Sequence, residues 1–194
     1  MEKLTWPTRI ESTLTEIGMR QEFIGQDENT PSKAFQRMED IFHQGALSDI
    51  RREESKLRTY SLLKTSLGYE QYLSEIGDVE RRTALTKLRL SNHQLMIEKG
   101  RHIGVERDSR FCPFCPNEIE NEKHFLMECN PFSTLRNELF QKARKVIFLD
   151  PYSCKTQQFI TLVNNFVVCN ITAEYVFKAF GLRDFLLSNP KAHD

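Results

Sequence analysis

Three cysteines and one histidine lie within eighteen residues, in the stretch FCPFCPNEIENEKHFLMEC. Their spacing is Cys112-x2-Cys115-x8-His124-x4-Cys129. A Cys-x2-Cys turn brings two thiolates within a few ångströms of each other, and thiolates with imidazole are the usual ligands of structural zinc. Because all four ligands would come from the protein, with no open position for water, we predict one structural zinc ion and no catalysis at this centre. The alternative is that these are ordinary buried cysteines.

The local pattern predicts how the last two ligands are placed. NEIENEKHFLMEC is typical of a short helix that is capped by Asn121 and has His124 in its first turn. Five residues on a helix of about 3.6 residues per turn rotate by about 500°, so His124 and Cys129 cannot share a helical face. We therefore predict that the helix ends near Glu128 and that Cys129 lies just beyond it. The acidic run Glu118, Glu120 and Glu122 is interpreted as a solvated face near the helix start.

The other candidate ligands are interpreted differently. His102 lies outside the compact unit. Cys154 and Cys169 fall in helical patterns and are predicted to be core residues. Five cysteines are an odd number, which argues against a fully paired disulfide framework and favours a reducing compartment. The N-terminal residues show no signal-peptide core, so we expect an intracellular protein of the nucleus or cytoplasm.

Composition limits the class of protein. The chain has 194 residues, of which 39% are hydrophobic and 28% charged, as in soluble globular proteins. No apolar run reaches the roughly 18 residues of a membrane helix, so no membrane partner is expected. There are 27 basic and 27 acidic residues, and this zero net charge counts against non-specific nucleic-acid binding. The segment 81–110 is an exception, with eight Lys or Arg against three acidic residues.

The periodicity predicts a mainly α fold with an inserted CCHC zinc-knuckle-like element. Apolar residues recur at helical spacing along most of the chain, and no segment alternates like a strand. We expect an N-terminal helical part at 1–77, a basic segment with the CCHC unit and the following helix at 78–150, and C-terminal helices at 151–194. These three parts are predicted to form one compact unit.

Several motifs in order resemble one family. They are Lys87-Leu88-Arg89, the segment from His93 to Arg101, the four CCHC residues with the surrounding Glu-x-Glu-x-His-Phe-Leu stretch, and Leu135-Arg136. This order is similar to the C-terminal region of LINE-type non-LTR retrotransposon proteins, downstream of the reverse transcriptase. The specific part covers about 55–150. The resemblance implies a nucleic-acid-associated accessory role beside a polymerase, with the reverse-transcriptase portion of the same polyprotein as a possible partner.

We expect a non-catalytic, zinc-stabilised module that binds RNA or DNA. The candidate nucleic-acid-binding residues are Arg81, Arg82, Lys87, Arg89, Lys99, Arg101, His102, Arg107 and Arg110. Each cation has a structural alternative: Glu98 is expected to pair with Arg101, and Arg89 lies beside an apolar stripe where it can be buried and paired.

Two other functions are weighed against this one. The first is a protein-interaction or scaffold domain derived from such an element, which the zero net charge favours. The second is an enzyme such as a nuclease, for which the sequence shows neither a Tyr-x-Asp-Asp-like motif nor an endonuclease constellation. We therefore predict that the chain is not an enzyme.

Overall fold

The computed structural model describes residues 5–26, 28–52, 56–64 and 66–189. Within these residues the chain is helical, with one isolated antiparallel β-bridge and no strand, so the predicted mainly α fold is confirmed. The α-helices of the described residues are α1 (Trp6–Glu16), α2 (Arg20–Ile24), α3 (Thr30–Arg51), α4 (Arg58–Leu63), α5 (Tyr72–Glu75), α6 (Val79–Arg89), α7 (Met96–His102), α8 (Glu122–Met127), α9 (Ser133–Ala143), α10 (Lys155–Asn164) and α11 (Cys169–Ser188).

The chain divides into two compact units, 1–52 and 53–194. The expected boundaries after 77 and 150 both fall inside the second unit. The first unit comprises α1 to α3. Along α3, Phe35, Met38, Ile41 and Phe42 share one face as the spacing predicts, and all four side chains are exposed.

The core of the second unit forms where α11 packs against α6 and α9. Asp78 caps α6, its carboxylate accepting a hydrogen bond of 3.0 Å from the Arg81 amide, as its position before an apolar stripe predicts. That stripe includes Leu85 and Leu88, both fully buried. The C-terminal helices α10 and α11 occur where the sequence predicts them, because each presents an apolar face to this core.

The prediction that Cys154 and Cys169 are core residues is wrong for one of the two. Cys169 is buried, as expected, but Cys154 is exposed. The reason is that Cys154 is the N-cap of α10 rather than an interior residue, so its side chain lies outside the packed face.

Helix α7 is held by an arginine that packs across a glycine. Arg110 donates hydrogen bonds to the carbonyl oxygens of Ile97 at 2.8 Å and Val105 at 2.9 Å. Its side chain lies over Gly100, where an added Cβ would meet Arg110 Cγ at 2.7 Å. The position of the Arg110 side chain therefore requires a glycine at residue 100.

Within the described residues, no single helix has the length and apolar character to cross a membrane. Taken together, α10 and the segment Phe166–Ser188 have the length and apolar composition of a membrane span, but the chain bends by 74° between them.

Replacing Gly100 with alanine is expected to destabilise the protein by about 1–3 kcal/mol, because the new methyl group displaces Arg110 from two carbonyl bonds. Gly181→Ala in α11 is the matched control, since a Cβ added there would meet no neighbouring atom within 4 Å, and it should be neutral or stabilising by up to about 1 kcal/mol. Denaturant unfolding of both variants measures the difference. Equal stability of the two would contradict this account of Gly100.

Candidate metal centre

The first two cysteines lie on a tight hairpin. Phe111 and Ile119 form the antiparallel bridge, and the Cys112 amide donates to the Glu118 carbonyl at 2.7 Å. Asn117 turns the chain with a φ of 63°, a left-handed conformation that asparagine tolerates better than most residues. Hydrogen bonding across the hairpin thereby fixes the backbone that carries the Cys-x2-Cys pair.

The other two ligands are placed by α8. Asn121 caps this helix, its side-chain oxygen accepting from the His124 amide at 2.8 Å. The helix ends at Met127, and the Cys129 amide donates to the His124 carbonyl at 2.8 Å in the turn that follows. The predicted cap, the first-turn position of His124 and the placement of Cys129 beyond the helix end are all confirmed.

The four side chains converge in a buried space. One ligand atom from each of Cys112, Cys115, His124 and Cys129 lies within 4.8 Å of the others, and all four residues are buried. Cys129 Sγ lies 3.7 Å from Cys112 Sγ and 3.8 Å from Cys115 Sγ. A tetrahedral ion with metal–sulfur bonds of about 2.3 Å separates its sulfur ligands by about 3.8 Å. The cluster therefore has the dimensions of a metal site.

His124 supplies a second reason to assign a metal site. Neither ring nitrogen of this buried imidazole has a hydrogen-bond partner among the described residues. A buried, unpartnered ring nitrogen costs free energy, and a coordinated cation removes that cost. The Nδ1 atom lies 3.8 Å from a Glu128 carboxylate oxygen, and Glu128 pairs with Lys155 at 3.2 Å. Carboxylates beside a ligating histidine are common around protein metals.

Thiol chemistry is consistent with cation binding. A hydrogen bond from Cys129, acting against the effect of burial, lowers the pKa of Cys112 to about 4. The hydrogen bond with Cys112, burial and the nearby sulfurs raise the pKa of Cys129. Packing three sulfurs together thus favours one thiolate and opposes the next, and a bound cation relieves this repulsion because metal ligands bind deprotonated.

Residues beyond the ligands hold the centre in place. Arg136 donates to the Cys129 carbonyl at 2.8 Å. The Tyr175 hydroxyl donates to the carbonyl oxygens of Phe125 and Leu126 at 3.1 and 3.2 Å, which ties α8 to α11. The Leu-Arg motif that follows the CCHC unit therefore contributes a direct backbone contact to the last ligand.

The predicted solvated acidic face is wrong for two of its three residues. Glu118 is exposed, but Glu120 and Glu122 are buried. Glu120 accepts two hydrogen bonds from Arg183, at 2.7 and 2.9 Å, and a third from the Met96 amide at 2.6 Å. Buried carboxylates need such partners, and these partners come from distant parts of the chain.

Glu122 belongs to a buried charge network centred on Arg58. Arg58 Nη2 lies 2.6 Å from Glu122 and its Nη1 lies 3.1 Å from Glu98. The His93 ring contacts Glu122 at 2.9 Å, and Arg101 pairs with Glu98 as predicted. Burial raises the pKa of Glu122, but the hydrogen bond with His93 and the charge of Arg58 outweigh it and lower the value to about 2.

Four of the nine candidate nucleic-acid-binding residues are buried or half-buried and make internal contacts. Arg89 is buried, with 1% of its surface exposed, and contacts Glu70 at 2.7 Å and the Val163 carbonyl at 2.6 Å. Arg110 packs on α7 as described above. Arg82 donates to the Ile76 carbonyl at 2.8 Å, and Arg81 pairs with Asp78 at 3.4 Å. Arg89 and Arg110 stabilise the fold, because their guanidinium groups donate hydrogen bonds to backbone carbonyls and, for Arg89, to the Glu70 carboxylate.

The other five candidates are exposed. Lys87 lies on α6, and the remaining four belong to α7 and the 3-10 turn after it: Lys99, Arg101, His102 and Arg107. His102 is not among the metal ligands; it lies 3.4 Å from Glu98.

Sequence reasoning missed Arg58 and Arg183. Each pairs with a carboxylate more than sixty residues away along the chain. No local pattern could have found these pairs.

Comparison of the chain with protein-family models, with curated proteins and with solved structures gives no match.

Metal analysis of the purified protein is expected to give about one ion per chain. Cys112→Ser and Cys129→Ser should each lose the ion and more than about 3 kcal/mol of unfolding free energy, because metal binding at such a site contributes directly to folding. The control is Cys154→Ser, an exposed cysteine outside the cluster, which should keep the ion and lose no stability, because serine is a favoured residue at this N-cap position. Metal-free protein of unchanged stability would refute the metal site.

Proposed function

We propose that the chain contains a non-catalytic, zinc-stabilised module that binds nucleic acid. Three thiolates and an imidazole form a soft ligand set of the kind that selects zinc, and the sulfur separations suit a tetrahedral ion. Because the protein supplies all four ligands, the ion has a structural role and no position for an activated water.

The nucleic-acid surface that we propose is the outward side of α7 and the turn after it. Lys99, Arg101, His102 and Arg107 lie within nine residues and are all exposed. These exposed side chains lie beside the hairpin that carries Cys112 and Cys115, which we call the metal hairpin. Their concentration there is the observation that carries the proposal, since phosphate contacts dominate nucleic-acid affinity. Lys99, Arg101 and His102 also have a structural explanation, because they lie in the last turn of α7, where cations stabilise the helix dipole.

The metal hairpin fixes the position of this surface. The Ile97 amide of α7 donates to the Glu120 carbonyl at 3.1 Å, and the Glu120 amide donates to the Arg110 carbonyl at 3.0 Å. The basic segment is thus hydrogen-bonded to the backbone just before the third ligand. In this proposal the ion orders the hairpin, and the hairpin presents the cations.

The motif resemblance supports placing the module in a protein of the LINE retrotransposon type, where it would act beside the reverse transcriptase and contact RNA or DNA. The internal contacts of Arg89 and Arg110 and the pairing of Arg101 with Glu98 reduce the number of cations available for this role. Affinity would therefore depend on fewer phosphate contacts than the sequence alone suggests.

A protein-interaction role is the second candidate function. It is favoured by an open apolar groove of about 980 Å³ within the first unit, lined by residues that include Trp6, Ile10, Phe23, Phe35 and Met38. Exposed apolar surface of this extent is typical of an interaction site.

Titration of single- and double-stranded RNA and DNA at several salt concentrations tests the nucleic-acid proposal. Binding should weaken as salt rises, and Lys99→Gln/Arg107→Gln should lower the salt slope by about 2 because two phosphate contacts are lost. Lys142→Gln is the control, a lysine of similar exposure that pairs with Glu174. Wild-type binding with no salt dependence would exclude this function and favour the interaction domain.

A further inference from the structure

A cleft of about 480 Å³ lies beside the metal hairpin. One wall comes from the hairpin and the start of α8, through Ile119, Asn121 and Lys123. The opposite walls come from α4, α7, α10 and the turn at Arg107. The volume falls within the range of about 300–1,000 Å³ that is usual for small-ligand sites.

Two cations line this cleft without a committed partner. Arg107 is exposed and Lys123 is half-buried, and neither forms an ion pair with any residue that the structure describes. Arg58 also lines the cleft, but Glu98 and Glu122 occupy its guanidinium group. Arg107 and Lys123 are therefore the groups that remain available to an anion.

The rest of the lining is apolar with a few polar groups. Leu62, which is 55% exposed, and the half-buried Ile119 provide accessible apolar surface, whereas the lining residues Ile97 and Phe159 are buried. The hydroxyl groups of Thr59 and Thr156 provide hydrogen-bonding groups. Two carboxylates also line the cleft, Asp108 and Glu122, and Glu122 is paired with Arg58 and His93. An apolar surface bordered by cations and hydrogen-bonding side chains matches a molecule that carries a flat, weakly polar ring and a phosphate.

We infer that this cleft binds one unpaired nucleotide of a single-stranded nucleic acid. The base contacts Leu62 and Ile119, and the phosphate lies between Arg107 and Lys123. This inference rests on the proposed function and adds its substrate class. Duplex is disfavoured, because a base must leave its stack before it can enter a cleft of this size.

The cleft also depends on the metal. Lys123 directly precedes the ligand His124, and Asn121 caps the helix that carries both. Removing the ion is therefore expected to disorder one wall and to weaken binding of the single strand more than binding of the duplex.

Two variants outside the nine candidate residues test this site. Lys123→Gln should weaken binding of a short unpaired RNA or DNA oligonucleotide about tenfold and lower the salt slope by about 1. Leu62→Ser removes a base contact without changing charge, so it should weaken single-strand binding about tenfold with an unchanged slope. Binding of the matched duplex should be nearly unaffected by Leu62→Ser.

Matched controls are Lys142→Gln and Leu187→Ser, a lysine and a leucine exposed elsewhere in the second unit. Both should bind the single strand as wild type does, and metal content and unfolding of every variant confirm folding. If wild type binds the single strand and Leu62→Ser and Lys123→Gln bind equally well, the cleft assignment fails while the nucleic-acid function stands. If wild type binds no nucleic acid, both fail.

Discussion

Crowding of three sulfur atoms and an imidazole into one buried space is the constraint on which the second unit depends. Sulfurs 3.7 and 3.8 Å apart repel once more than one is ionised, and the buried His124 nitrogens have no hydrogen-bond partner among the described residues. A cation removes both costs at once. The hairpin around Cys112 and the six-residue helix α8 are both short, so we expect ligation of a metal ion to stabilise the geometry that their hydrogen bonds define.

Ion pairs with buried carboxylates connect the ligand cluster to helices that are distant in sequence. Glu120 joins the hairpin to α11 through Arg183, and Glu122 joins α8 to α4 through Arg58. Removing one member of such a pair leaves an uncompensated buried charge, which costs about 3–5 kcal/mol. The motif residues His93, Glu98 and Gly100 are explained by the same structure: the first two belong to the network around Arg58, and the third makes room for Arg110. All three residues therefore have a role in stabilising the fold.

The sequence predicted the parts of the site that depend on short-range geometry. The ligand spacing, the Asn121 cap and the position of Cys129 past the helix end follow from helical rotation and capping over fewer than twenty residues. The partners of Glu120 and Glu122 lie 63 and 64 residues away, so these carboxylates looked solvated. Cationic residues were the hardest to assign. The sequence allows Arg89 to be either a nucleic-acid contact or a buried, paired residue, and packing against Glu70 decides for burial. Exposure depends on tertiary packing, which a single sequence does not reveal.

Amide hydrogen exchange with and without a zinc chelator tests most directly whether the ligand cluster organises the second unit. The amides of Cys112 and Glu120 form hydrogen bonds across the hairpin, and the Ile97 amide joins α7 to it. We predict that all three lose protection together when the ion is removed, while the amides of α1 and α3 in the first unit keep theirs. Unchanged protection at Cys112, Glu120 and Ile97 in metal-free protein would contradict the account.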